Sequence, residues 1–213
     1  MSIMLTTIWT PNNSGATVQL TQNLTIARDA IRADGYKADV LALIPGGGGV
    51  PGEMGLVVDY EDADAYVAAL DQGVSPSLAK AQETMQYSDS KPERTATWME
   101  IPGLETSYED LPKGVVQTSY IRVNAGQAAN ALETVSKSKE IMNGLGGKVR
   151  VMSAFLANPW SMILYGVYHE SANAWREFND SLFASSEWNS HWNDSSRPAT
   201  MELIRQSAFG ILP

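Results

Sequence analysis

Val115 to Val123 reads VVQTSYIRV, a β-branched and aromatic run of strand length, and Asn124-Ala125-Gly126 breaks it with a turn and a helix start. Ala128, Leu132, Val135, Lys139 and Met142 recur at three- and four-residue spacing through Gln127 to Asn143, which predicts a helix with one buried face, closed by Gly144 and Gly146. Lys148 to Leu156 and Ser161 to His169 are two β-rich segments joined through Asn158-Pro159. Ser171 then caps a helix with Ala172, Trp175, Phe178 and Leu182 on one stripe. Ser185-Ser186-Glu187 starts a short helical piece, and Met201 to Phe209 is the last strand. The predicted order is β-α-β-β-α-β.

Residues 1–102 repeat that order. Strands are expected over Ile3 to Thr10, Asp39 to Ile44, Met54 to Tyr60 and Arg94 to Ile101, with helices over Val18 to Ala33 and from Asp62 onward. Thr7, Trp9, Gly15, Gly35 and Val40 correspond to Thr118, Tyr120, Gly126, Gly146 and Val151 at an offset of 111 residues. The offset falls to 109 where Tyr60-Glu61-Asp62 lies over His169-Glu170-Ser171, because the loop Pro45 to Gly52 is longer than Ala157 to Trp160. Ser90-Lys91-Pro92 is matched to Ser196-Arg197-Pro198 at offset 106. These matches divide the chain into a first unit, 1–102, a linker, 103–114, and a second unit, 115–213. Each unit has the ferredoxin-like order, an antiparallel sheet with helices on one face. Two such units can pack sheet to sheet, so the expected α+β fold is an intramolecular dimeric α/β barrel.

Composition narrows the function. The 213 residues are 44% hydrophobic and 18% charged, and 15 Lys+Arg against 24 Asp+Glu give a net charge of −9. With no basic cluster, nucleic acid and anionic membranes are not expected as partners. No apolar stretch approaches the roughly 18 residues of a membrane span, and the start lacks a basic leader region, so a cytoplasmic protein is expected. The absence of cysteine removes disulfides, thiolate nucleophiles and Cys-type metal sites, leaving His169 and His191 as the nitrogen ligands. A metal centre is therefore not expected.

The run Leu164-Tyr165-Gly166-Val167-Tyr168-His169-Glu170-Ser171-Ala172-Asn173-Ala174-Trp175, followed by Ser186-Glu187-Trp188-Asn189-Ser190-His191-Trp192, resembles the dimeric α/β barrel superfamily. It is most similar to the NIPSNAP-like and antibiotic-biosynthesis-monooxygenase-like branches. The motif is clear in the second unit only: Tyr60 stands in place of His169, and Ser75-Pro76-Ser77-Leu78 in place of Ser185-Ser186-Glu187-Trp188. The superfamily includes cofactor-free monooxygenases, haem enzymes, isomerases and members without known activity, so the fold leaves the reaction open. The resemblance implies a ligand between the sheet and the helices of the second unit.

Several side chains there could carry chemistry. His169, at a strand end, is a candidate acid/base or haem ligand, against the alternative of a capping or solvated histidine. Tyr165 shares its strand face at period two, and Tyr120 lies on the neighbouring strand, so the three form a candidate set that could polarise a phenolic or enolisable substrate. Trp175 and Trp188 are candidate walls for a flat ligand, with His191 beside Trp188 and Trp192; the alternative is a tryptophan-rich core. Arg150 and Arg205 read as buried carboxylate anchors or as barrel-rim ion pairs. Gly46 to Gly49 lacks the Lys-Ser/Thr of a phosphate loop and reads as a hairpin or lid over the first unit. The leading expectation is a small-molecule enzyme of monooxygenase-like type that takes an apolar or aromatic ligand without a bound cofactor. A NIPSNAP-like binding or interaction module and a haem protein are the alternatives, and assembly into a homo-oligomer is left open.

Overall fold

The structure, a computed structural model, describes residues 1–72, 76–155, 161–193 and 199–213. Ser75, the Asn158-Pro159 turn, Trp160 and Ser196-Arg197-Pro198 lie outside the described residues. The first half runs β1 (Ile3–Pro11), α1 (Ser14–Ala33), β2 (Lys37–Leu43), β3 (Met54–Tyr60), α2 (Ala63–Gln72), α3 (Pro76–Gln82) and β4 (Ser90–Glu100). A connector with one 3-10 turn at Tyr108–Asp110 leads to β5 (Val115–Val123), α4 (Ala128–Gly144), β6 (Lys148–Ala154), β7 (Met162–His169), α5 (Ala172–Ala184), α6 (Ser186–Trp192) and β8 (Met201–Leu212).

Local chemistry sets the helix ends. Asn13 accepts a hydrogen bond from the Ala16 amide at 2.8 Å, so α1 starts a full turn earlier than the expected Val18. Gly35 and Gly146 each follow a helix with φ of 90°, and the next amide reaches back into the last turn, Tyr36 to the Ile31 carbonyl and Gly147 to that of Met142. Only glycine takes that conformation without steric cost. Gly144, expected to share the capping, is helical.

The eight strands close into one barrel in the order β1-β3-β2-β8-β5-β7-β6-β4. Two ferredoxin-like units meet edge to edge, β2 on β8 and β4 on β6, so no strand edge remains unpaired. The interior is shared: Met4, Leu41, Val57 and Trp98 from the first half pack with Val116, Tyr120, Met152, Leu164 and Phe209 from the second. Helices cover the outside of each sheet. Leu20, Leu24 and Ile31 of α1 lie on Val40, Met54 and Val58, while α4 and α5 lie on β5, β6 and β7 through Val135, Met142, Phe178 and Leu182.

Strand pairing corrects two of the expected correspondences. Thr6 donates to the Ala96 carbonyl as Thr118 donates to that of Ser207, each at 3.3 Å. Thr118 therefore corresponds to Thr6, not Thr7, and Tyr120 to Ile8, not Trp9. The last strands, β4 and β8, correspond at an offset of 111, since both carry the same irregularity, Arg94 and Pro92 facing β1 as Arg205 and Leu203 face β5. Small side chains tolerate a slip of one in a sequence comparison, but one residue in a strand exchanges the two faces.

Two ion pairs join the halves, the first fully buried and the second partly so. Arg150 grips Asp59 with both terminal nitrogens, at 2.8 and 2.5 Å, and Glu100 lies 3.4 Å from its Nε. Burial alone would lower the Arg150 pKa, but the hydrogen bonds and charge of Asp59 outweigh it and keep the guanidinium protonated. Arg205 pairs with Glu53 at the other barrel end. Gly46 to Gly49 lie beside this pair and lean on the second half, not over the first: the Ala208 amide donates to the Gly47 carbonyl, and the Ile44 amide to that of Ala208.

Candidate functional site

β5 and β7 present Gln117, Ser119, Ile121, Tyr165 and Val167 outward, because residues two apart on a strand share a face. Above them α4 contributes Ser138 and Met142, α5 contributes Phe178 and Leu182, and α6 contributes Trp188 and Trp192. Together with Leu203 and Gln206 of β8 they enclose a cleft of about 300 Å³. That volume is at the lower end of the range for small-molecule sites. Its lining is apolar and aromatic with a few neutral polar groups, and it contains no carboxylate, histidine, lysine or arginine among the described residues.

Tyr165 is the chemically loaded position. Its hydroxyl is buried without a hydrogen-bond partner, in a lining where every other polar group can turn toward a neighbour or solvent. Burial pushes its pKa up, so the phenol stays neutral, while Ser138 pulls weakly the other way. Ser138 is thus near enough to act on the hydroxyl, but the two do not close a hydrogen bond. Leaving a buried donor unsatisfied typically costs about 1–3 kcal/mol.

Behind the lining, His191 Nε2 lies 3.0 Å from Ser138 Oγ and 3.2 Å from the Thr134 carbonyl, with its ring beside the contacting pair of Trp188 and Trp192. Ser185 accepts from the Trp188 amide at 3.2 Å and sets the start of α6, which aims this aromatic group at α4. Trp175 forms no part of the wall itself; its Nε1 donates to Gln117 Oε1 at 2.7 Å and holds that amide against the cleft.

The Tyr120, Tyr165 and His169 set is not brought together. Tyr120 pairs across the sheet with Leu164, so its ring points into the barrel, on the opposite face from Tyr165. There it packs on Trp98 and lies under the Arg94 guanidinium, 3.9 Å from the ring centre. His169 is on the outward face with Tyr165 but lies beyond Phe178, with ring centres 4.8 Å apart and Nε2 buried and unpaired. Desolvation lowers its pKa to about 4, so the ring is neutral at pH 7 and is no base for the cleft.

Ser138, Gln117 and Gln206 were missed as site residues. The buried face of α4 is Ala131, Val135, Ser138, Ile141 and Met142, whereas the expected stripe took Leu132, which is exposed, and Lys139, whose Nζ reaches the Leu104 carbonyl at 2.6 Å. A serine at i+3 from Val135 and i−4 from Met142, on the apolar stripe, was the available signal.

No known protein-family pattern matches the chain, and no curated protein matches it. Solved structures do. A monooxygenase candidate from Fusobacterium nucleatum superposes with a TM-score of 0.64 at 9% identity, over 100% of this chain and 93% of that one. An anthrone oxidase-like protein gives 0.58 at 8%, over 100% and 92%. A DypB variant from Rhodococcus jostii RHA1 in complex with heme gives 0.59 at 7%, over 99% and 93%. At such identities the likeness establishes the fold: this is a dimeric α/β barrel carried on one chain.

The heme-bound neighbour prompts a test of that group here. A histidine that ligates haem iron must offer a ring nitrogen to the cavity. His191 Nε2 is turned to α4, and His169 Nε2 is buried behind Phe178. Neither histidine fits as the iron ligand of a haem held in this cleft. Among the described residues no group of three or more His, Cys, Asp or Glu is placed to hold a metal ion, and no helix is long and apolar enough to cross a membrane.

Proposed function

We propose that the second half of this chain binds a flat aromatic or polyketide-like small molecule in the cleft and promotes its oxidation, as a monooxygenase-like enzyme. The observation that carries this reading is the buried, partnerless Tyr165 hydroxyl in an otherwise apolar, tryptophan-walled cleft. A protein bears such a cost where a ligand completes the bond. The fold neighbours that include a monooxygenase candidate and an anthrone oxidase-like protein support the reaction class.

With no charged or basic side chain in the described lining, the substrate must bring its own acidity. An anthrone does: one proton of its ring CH₂ passes to solvent water as the ligand enters, leaving a delocalised enolate. The enolate reacts with dioxygen, and the CH₂ becomes a carbonyl with release of one water. The protein's part is to exclude water, stack the rings on Trp188 and orient the oxygen at Tyr165, whose neutral hydroxyl stabilises the developing charge. His169 and Tyr120 take no part in this scheme.

The absence of a base from the lining also favours a second reading, a NIPSNAP-like binding module with no turnover. Oxygen uptake with anthrone separates the two. Catalysed uptake well above the spontaneous rate, lost in Tyr165→Phe, is expected for the enzyme. Saturable quenching of tryptophan fluorescence without uptake assigns the module, and neither response refutes both.

A further inference from the structure

Two arginines hold matching places at the barrel end opposite Arg150, and only one of them has a counter-ion. Arg205 on β8 faces Tyr120, as Arg94 on β4 faces Ile8. Residues opposite one another on paired strands share a face, and Ile8 and Tyr120 both border the interior, so both arginines belong to the inner wall. Arg205 is closed by Glu53, which is only 1% exposed. Glu53 precedes Met54, the partner of Trp9 on β1; the equivalent place in the second half precedes Ile163, the partner of Ile121 on β5, and holds Met162. Met162 packs on the barrel core and offers no charge. Glu93, the acidic neighbour of Arg94 in the chain, pairs with Lys91 at 3.0 Å. Among the described residues no carboxylate pairs with Arg94, and residues 156–160, between β6 and β7, include no acid.

The partner that Arg94 does have is an aromatic ring. Its guanidinium lies 3.9 Å from the centre of Tyr120, reaching from the first half to the second. Stacking holds the planar group by its face and leaves its N–H edge free. Nε is buried without a partner, so the terminal nitrogens are the end offered at the mouth.

We propose that this mouth binds the carboxylate of a small organic acid, which takes at Arg94 the place that Glu53 holds at Arg205. One guanidinium balances one carboxylate charge, the ratio found at its twin. The barrel interior keeps only about 30 Å³ of free space, so the carboxylate head enters the mouth and the rest of the acid stays outside. The site lies on the opposite face of β5 from the outer cleft and does not depend on what that cleft binds.

A proton–nitrogen correlation spectrum of the native chain tests this. The Arg94 Nε–H is sheltered from water, and its resonance is the one missing from Arg94→Lys. Replacing sodium chloride by sodium acetate at constant ionic strength is expected to move that resonance saturably, with half the effect at ~10 mM, while those of the carboxylate-paired Arg150 and Arg205 stay in place. Met162→Glu supplies the missing carboxylate, so its Arg94 resonance should be displaced before acetate is added and should not respond to it. An Arg94 resonance that is absent, unmoved, or moved linearly with those of the other arginines shows a merely solvated guanidinium and overturns the proposal. An equal response to sodium phosphate overturns the assignment to carboxylates, and a native response in Met162→Glu overturns the reading of Met162 as the vacated partner.

Discussion

Asp59→Asn should unfold the barrel more readily than any change at its surface. Arg150 and Asp59 have side chains only 2% and 4% exposed, so the pair has little water to fall back on. Removing one member of a buried pair costs about 3–5 kcal/mol, because the other charge stays buried without its counter-ion. Here Glu100 remains 3.4 Å from Arg150 Nε and Ser2 Oγ accepts from Nη2 at 2.7 Å, which places the loss at the lower end, about 3 kcal/mol. For a chain of this length that is a fall in Tm of ~6–12 °C. Replacing both partners by apolar side chains, Asp59→Leu with Arg150→Met, should regain most of it, since Glu100 keeps its bonds from the Ser2 and Thr106 amides. Urea unfolding with linear extrapolation measures each variant. A loss below about 1 kcal/mol for Asp59→Asn, or a double variant weaker than the single one, would show that the pair is hydrated and refute the reasoning.

Two further outcomes follow from groups outside the cleft. The His169 imidazole is lowered to about 4 in the folded chain and sits near 6.5 when unfolded. On acidification the unfolded chain therefore takes up this proton first, so the contribution is full above pH ~6.5 and is lost as the pH falls toward about 4. Urea midpoints at pH 7.5 and 4.5 should converge in His169→Phe, and an unchanged slope would show that the ring is hydrated. Gly48→Ala should destabilise more than Gly35→Ala by thermal melting: both have left-handed φ, 80° and 90°, but a Cβ at Gly48 would meet the Gln206 carbonyl at 2.5 Å, whereas at Gly35 nothing lies within 4 Å. Equal shifts would mean the loop lifts off β8.

What could be read from the amino acids alone divides along physical lines. The β-α-β-β-α-β order was legible because turn residues and hydrophobic period are local, as at Asn124-Ala125-Gly126 and Gly146. That Tyr165, Val167 and His169 share a face followed from the period of a strand. Tyr120 failed on parity. Whether its ring faces Tyr165 depends on which residue of β5 pairs with which of β7, and that register is set by contacts across the sheet. His169 was misjudged for a different reason: only the packed position of Phe178 separates it from the cleft. Arg150 and Arg205 could be suspected of ion pairs, but their partners Asp59 and Glu53 come from the other half of the chain and carry no local mark.

The closure of eight strands by two unlike seams also bears on how such a protein can change. In a barrel built from two identical chains, every substitution appears twice, and both outer clefts evolve in lockstep. Joining the halves releases that constraint. The β3 position that pairs as Tyr165 does is Leu56, and the turn of α1 matching Ser138 carries buried Ala27. One side carries filler where the other keeps an unsatisfied hydroxyl, so the stability lost at that half can be made up in its twin.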